Sequence, residues 1–362
     1  MFPFSNHEPM SLESQLHVPL TEDSIFYKTP QRNTTFRLLN WIRHHFAQWD
    51  DTPEVNRKFK ACPYTNCVVS ANRSLLAHAD AVVVHMNSMG AQRLQLPVAV
   101  RKRAQLWIAL NREAPTQGST KSYRRYPDWF NATMSYQRAS DIYFPYGYVY
   151  PVSKNHSGVD PSKINTARPR LAAWLVSHCE THNRREDYVR ALQKHMKVDV
   201  YGRCGPLNCT RDSSACKRLL KSYKFYFSFE NANCVDYITE KLWLTLRKDV
   251  VPVVMGGADY KRHLPPHSFI DVREFASAKH LADYLLMLSN NDALYRQYFE
   301  WKRRYRIGTY GHYCQMCAYM NRVYGQEHTG MTDEKMAYFA DADQQCVKPE
   351  NYFTREDLRT FA

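Results

Sequence analysis

The chain has 362 residues, 44% of them hydrophobic and 14% aromatic, with ten cysteines and a formal net charge of +14. That length exceeds one comfortable core, so two domains are the prior, and the apolar content excludes general disorder. The densest basic clusters, Arg101–Arg103 and Lys302–Arg304, are short and lie in no nucleic-acid motif, so no nucleic-acid partner is expected and most of these side chains read as a solvated face.

Residues 1–35 carry acidic and polar residues throughout. They predict a poorly structured lead-in and hold no apolar run long enough for a signal peptide or membrane span. From 36 to 150 the apolar runs AVVVHM (81–86), QLWIAL (105–110) and SDIYF (140–144) predict strands alternating with polar helical stretches. Residues 151–169 contain three prolines and no apolar period, which marks a linker. AAWLVS (172–177), VDVYG (198–202), FYFSF (225–229) and VVPVVM (250–255) then alternate with helices over 170–345, leaving 346–362 as a tail. Alternation on both sides of one linker predicts an α/β protein of two doubly wound, Rossmann-like domains facing a cleft. FEWKRRYR (299–306) and the residues beyond Cys317 are expected to pack back across that cleft.

The stretch Tyr223–Gly257 is the most informative. YKFYFSF alternates as a half-buried strand should, and VVPVVMGG reads as a buried parallel strand ending in glycines. Between them Asp236 is a good N-cap, so a helix is expected to begin just after it. Tyr237 and Lys241 would then lie four apart on one face, with Glu240 beside them. A lysine beside helix N-terminal amides suits a diphosphate. The aromatic ring and the carboxylate could hold a base or a sugar hydroxyl.

Five Asn-X-Ser/Thr sequons, at Asn33, Asn72, Asn131, Asn155 and Asn208, together with ten cysteines point to the secretory pathway. Cys62-X4-Cys67 and Cys314-X2-Cys317 could make a four-thiolate zinc site, but an oxidising compartment favours disulfides. Cys204, Cys209 and Cys216 are candidates for one local bridge. Asp341-Ala342-Asp343, the one Asp-X-Asp triplet, follows a polar late segment and reads as loop acid, so no metal ligands are assigned.

FYFSFENANCVDYITEKLW (225–243) followed by VPVVMG (251–256) closely resembles the signature of the α1,3-fucosyltransferases, glycosyltransferase family 10. LWIALNREAP (106–115), FNATMSYQRASDIYFPYGYVYP (130–151) and residues 171–205 resemble other elements of the family, so the likeness covers roughly 60 to 320. It implies a GT-B architecture, with an acceptor-side domain at 36–150 and a GDP-fucose-binding domain at 170–345. It further implies disulfides linking Cys62 and Cys67 to the Cys314–Cys317 end. The implied reaction is inverting transfer of L-fucose from GDP-fucose to the 3-hydroxyl of N-acetylglucosamine in a glycan or glycoprotein acceptor, of N-glycan core or lactosamine type. Relatives are usually type II Golgi proteins. The anchor they carry is not visible in residues 1–35, which leaves open a soluble form, a chain lacking its first residues, or a separately encoded entry signal.

Glycosyl transfer passes through an oxocarbenium-like transition state. An inverting transferase needs one carboxylate to deprotonate the acceptor, and cations to neutralise the departing diphosphate. No cofactor is required, and added divalent ions would at most stimulate. Glu113 follows an apolar strand and falls on the family's catalytic glutamate, although Ala114 stands where serine is usual. Arg185 matches the family arginine on the donor phosphates, with Arg184 as a substitute, and a guanidinium binds phosphate oxygens bidentately. Lys241 is the second cation. Tyr237, Glu240 and Asn231 are expected at the nucleotide, Ser177 at a phosphate, and Glu230 at the sugar or behind it. His178 replaces a usual asparagine. The stretch His85-Met86-Asn87 lacks the second histidine and the discriminating side chain of Lewis-type vertebrate enzymes, which leans towards an invertebrate-type member. A catalytically silent glycan- or nucleotide-binding relative is the alternative.

Overall fold

The computed structural model describes residues 29–42, 56–57, 59–88, 102, 104–117, 129–152, 158–209, 218–308, 312–326 and 333–361. Two parallel sheets dominate. The first takes β1 (Phe36–Ile42), β2 (Cys67–Ser70), β3 (Ala81–His85), β4 (Leu106–Asn111), β5 (Ala132–Ser135) and β6 (Ile142–Tyr143) in the order β2-β1-β3-β4-β5-β6. The second takes β8 (Arg170–Leu175), β9 (Val198–Tyr201), β10 (Tyr223–Phe229), β11 (Val251–Met255) and β12 (Ile270–Asp271) in the order β12-β11-β10-β8-β9. Between the sheets in sequence lies β7 (Tyr148–Pro151), which pairs antiparallel with β13 (Tyr305–Gly308).

Parallel strands need both faces covered, and β10 shows how its sequence achieves this. Phe225, Phe227 and Phe229 enter a core with Trp174, Val251, Val253 and Met255. Tyr223 and Tyr226 meet Ala173, Tyr201 and Val250 on the opposite face. The alternation that predicts a half-buried strand is therefore misleading. Ser228 is 0% exposed, because its hydroxyl bonds the Lys241 carbonyl and the Thr245 hydroxyl. β5 escapes a hydrophobicity pattern for the same reason: Thr133 and Ser135 are buried with their hydroxyls bonded to Asp141 and Ser140. The helical stretches expected between the first strands fall largely outside the described residues.

Four helices matter for the site and its frame: α1 (Arg185–Gln193), α2 (Glu240–Leu246), α3 (Ala278–Ser289) and α4 (His312–Val323). Leu281, Leu285 and Leu288 of α3 follow helical spacing into the second core. Packing departs from chain order at the end. Met316, Cys317, Met320 and Val323 of α4 enter the first sheet's core, although the sequence assigns 170–345 to the second unit. Disulfides Cys62–Cys314 and Cys67–Cys317 fix that return, across separations of 252 and 250 residues. The tail, 346–362, packs on the second core through Phe353, Leu358 and Phe361. Of the lead-in, residues 1–28 lie outside the described set. Residues 29–35 are tied down, for example by the Arg32 amide donating to Asn321 Oδ1 at 2.7 Å.

Two further bridges take up Cys204, one of the three local candidates, and Cys234. Cys204 pairs with Cys179, joining the turns after β8 and β9, and Cys234 pairs with Cys346. Cys209 is disulfide-bonded as well. At Asn131 the sequon side chain serves the sheet, with Oδ1 accepting the Trp107 amide at 2.9 Å.

The end of β11 lies directly on the loop that follows β10. A Cβ at Gly257 would stand 2.3 Å from the Asn233 carbonyl. Gly257→Ala is expected to cost about 1–3 kcal/mol as the loop is pushed away. An unchanged denaturation midpoint would contradict that close approach.

Candidate active site

The site begins where β10 ends. Glu230 is 1% exposed, and its carboxylate accepts the Thr239 amide at 2.7 Å, the Thr239 hydroxyl and Lys241 Nζ at 3.0 Å. Burial drives its carboxyl upward and Lys241 only partly offsets that, leaving it above the ordinary range. Lys241 feels the same burial, but Glu230 and Glu240 outweigh it and hold the ammonium charged. Glu240 lies 3.8 Å from Lys241 and is more exposed.

Helix α2 does not begin after Asp236. Thr239 is its N-cap, and Asp236 sits at φ 58° in a turn. The Asp236 carboxylate is already engaged: Oδ2 accepts the Arg138 amide at 2.9 Å, and Oδ1 lies 3.1 Å from His263 Nε2. Burial would raise this carboxyl, but those two bonds prevail and hold it below the ordinary range. Tyr237 therefore precedes the helix and shares no helical face with Lys241. Its ring lies 4.9 Å from that of Tyr136, and its hydroxyl points at the first sheet.

What it meets there is Glu113. The Asn111 side chain at the end of β4 accepts the Glu113 amide at 3.1 Å, and Tyr146 donates its hydroxyl to the Arg112 carbonyl at 2.7 Å. The turn so held offers Glu113 Oε2 to the Tyr237 hydroxyl at 3.1 Å, across a sequence separation of 124 residues. Burial, reinforced by the charges of Tyr146, Glu113 and Glu230, lifts the Tyr237 phenol well above 10, so it remains a donor. Ala114, 0% exposed, packs with Tyr136, Ala232, Cys234 and Tyr237, which gives the small side chain a packing role.

Arg185, with a side chain 3% exposed, fans its guanidinium over the carboxyl ends of β8 and β10. Nη1 donates to the Phe229 carbonyl at 2.8 Å, Nη2 to that of His178 at 3.0 Å and Nε to Glu186 at 3.2 Å. Its charge is felt by Lys241. Arg184 points elsewhere, pairing with Asp187 and lying 5.0 Å from the Phe361 ring. Ser177 is exposed one residue before His178, and its carbonyl is taken by Arg203. Asn231 is half-buried with Oδ1 unbonded, beside Asn233 with Nδ2 unbonded. Glu113, Tyr237, Glu230, Glu240 and Lys241 are thus brought together, while Arg185, Ser177 and Asn231 border them from the strand ends.

One residue of this cluster carries no local signal. The Arg112 guanidinium lies 3.8 Å above the Tyr146 ring and 4.4 Å above that of Phe144. Burial lowers its pKa against the pull of Tyr146, Glu240, Glu113 and Tyr237.

Tyr237→Phe removes the hydroxyl that donates to Glu113 and is expected to lower kcat/KM roughly tenfold. An unchanged kcat/KM would contradict a working role for the contact.

Two parallel sheets meeting at a carboxylate on one side and a lysine-bearing helix on the other have the layout of a GT-B glycosyltransferase. The family profile "Fucosyltransferase, N-terminal" matches residues 33–147, and "Glycosyltransferase family 10 (fucosyltransferase) C-term" matches residues 165–334. The chain belongs to glycosyltransferase family 10 and is a fucosyltransferase. It is 36% identical to α-(1,3)-fucosyltransferase C of Drosophila melanogaster over 296 residues, covering 75% of this chain and 68% of that one. It is 37% identical to α-(1,3)-fucosyltransferase 7 of Homo sapiens over 299 residues, covering 80% and 82%. Identity thus does not separate an invertebrate type from a vertebrate one. A crystal structure of an α1,3-fucosyltransferase superposes with a TM-score of 0.51 at 13% identity, covering 82% of this chain and 93% of that one, which shows the shared fold.

Proposed function

We propose that the protein transfers L-fucose from GDP-fucose to the 3-hydroxyl of an N-acetylglucosamine residue in a glycan, with inversion. Glu113 takes the proton of the acceptor hydroxyl as its oxygen attacks the anomeric carbon. The bond from that carbon to the β-phosphate oxygen breaks, and GDP departs with the added negative charge. Lys241 and Arg185 receive that charge, while Asn231, Glu240 and Ser177 line the donor side. Glu230, fully enclosed by Thr239 and Lys241, positions the lysine rather than touching sugar. The observation that carries this reading is the 3.1 Å contact from Tyr237 to Glu113, since it sets a carboxylate of the first sheet against the turn that leads into the helix bearing Lys241.

Four disulfides among the described residues suit an oxidising lumen, with the Golgi as the expected site. Among the described residues, no helix is long and apolar enough to cross a membrane. The test is a coupled GDP-release assay with labelled GDP-fucose on one core N-glycan and one lactosamine acceptor, with the product linkage read by NMR. GDP release with either acceptor and an α1,3 product is expected. Retained binding of GDP-fucose without turnover on any acceptor would instead describe a silent relative.

A further inference from the structure

The cations that the reaction scheme uses are already committed before any ligand arrives. Lys241 holds Glu230 at 3.0 Å and Glu240 at 3.8 Å, and Arg185 holds Glu186 at 3.2 Å. With Glu113 added, the carboxylates around this opening outnumber those two cations. A diphosphate, itself strongly anionic and gaining charge on release, would enter a negative site unless another cation faced it.

Arg112 is that cation. Among the described residues no ion pair involves it, and its Nε is buried without a hydrogen-bond partner. It is held in place by stacking on Phe144 and Tyr146 rather than by a carboxylate. A partly buried guanidinium whose Nε has no partner is costly, and an incoming anion relieves that cost. The Tyr146 ring beneath it packs against the cluster of Ile238, Leu242 and Trp243 around α2, so the guanidinium belongs to the side of the opening where Lys241 and Glu240 sit. Glu240 also pulls on it more strongly than its own neighbour Glu113 does.

We infer that Arg112 is a donor-binding residue, the third cation of the site, which takes an oxygen of the donor's diphosphate. This rests on the proposed reading of a GDP-sugar donor. It assigns the charge of the leaving group to both halves of the molecule, so the first sheet supplies a cation beside its base. The planar guanidinium is suited to two phosphate oxygens and to stacking at once, which an ammonium is not.

Calorimetric titration of GDP and of guanosine into the wild type, Arg112→Met and Arg112→Lys tests this. Methionine keeps contact with the two rings while removing the charge. Arg112→Met is expected to weaken GDP binding by about 10- to 100-fold, the loss of one charge-assisted bond. Guanosine affinity should stay within twofold, and Arg112→Lys should fall between. GDP affinity unchanged in Arg112→Met overturns the inference, and so does an equal loss for GDP and guanosine, which marks a merely structural role. Unchanged GDP affinity with a raised KM confined to an acidic acceptor sugar overturns it in favour of an acceptor-side anion. A wild-type protein that binds no GDP overturns the donor reading and the inference with it; normal wild-type binding carried unchanged into Arg112→Met overturns the inference alone.

Discussion

Glu113→Gln is expected to lower kcat by about 10²–10⁴-fold, the usual contribution of a general base, while GDP affinity stays near that of the wild type. Glutamine preserves the shape of the side chain and can still accept the Tyr237 hydroxyl through its amide oxygen. The turn held by Asn111 and Tyr146 therefore has no reason to move. Only the ability to take a proton is removed. Turnover at the wild-type level would take Glu113 out of the mechanism. Equal losses in kcat and in GDP binding would show that the substitution had disturbed the opening as a whole.

Lys241→Ala should act on a different quantity. Loss of its charge is expected to weaken GDP about 10- to 100-fold and guanosine far less. The variant also strands Glu230, a carboxylate enclosed by Thr239 and left without its counter-ion. Breaking a buried pair from one side costs about 3–5 kcal/mol unless the remaining group neutralises. Glu230 already lies above its ordinary pKa through burial, and without Lys241 it rises further. An acid whose folded pKa exceeds its unfolded one contributes stability at low pH that is lost as pH rises through the folded value. The melting temperature of Lys241→Ala should accordingly fall more steeply with rising pH than that of the wild type. GDP affinity within twofold of the wild type would remove Lys241 from the phosphate cradle.

Much of this arrangement is legible in the chain itself. β4 is a continuous apolar run, so Glu113 has to emerge at its carboxyl end, and β10 and β11 are recognisable around the loop between them. The start of α2 is not. Asp236 and Thr239 are both good caps three residues apart, and local chemistry does not choose between them. The choice comes from Arg138 and His263, which engage Asp236 from 98 and 27 residues away. That one displacement frees Tyr237 from the helix and turns its hydroxyl towards Glu113. Arg112 is hidden for a related reason, because the rings that hold it come from the segment following β6. The cysteines divide the same way. Family resemblance implies the link from Cys62 and Cys67 to Cys314 and Cys317, but Cys179–Cys204 depends on β8 and β9 lying side by side.

A double-mutant cycle on kcat/KM with Glu113→Gln and Tyr237→Phe reaches the contact between the two sheets most directly. Removing the Tyr237 hydroxyl should cost roughly tenfold when Glu113 is present and almost nothing in the Glu113→Gln background. The same cost in both backgrounds would mean that the phenol and the carboxylate act independently, and the two halves of the molecule would then share no catalytic opening.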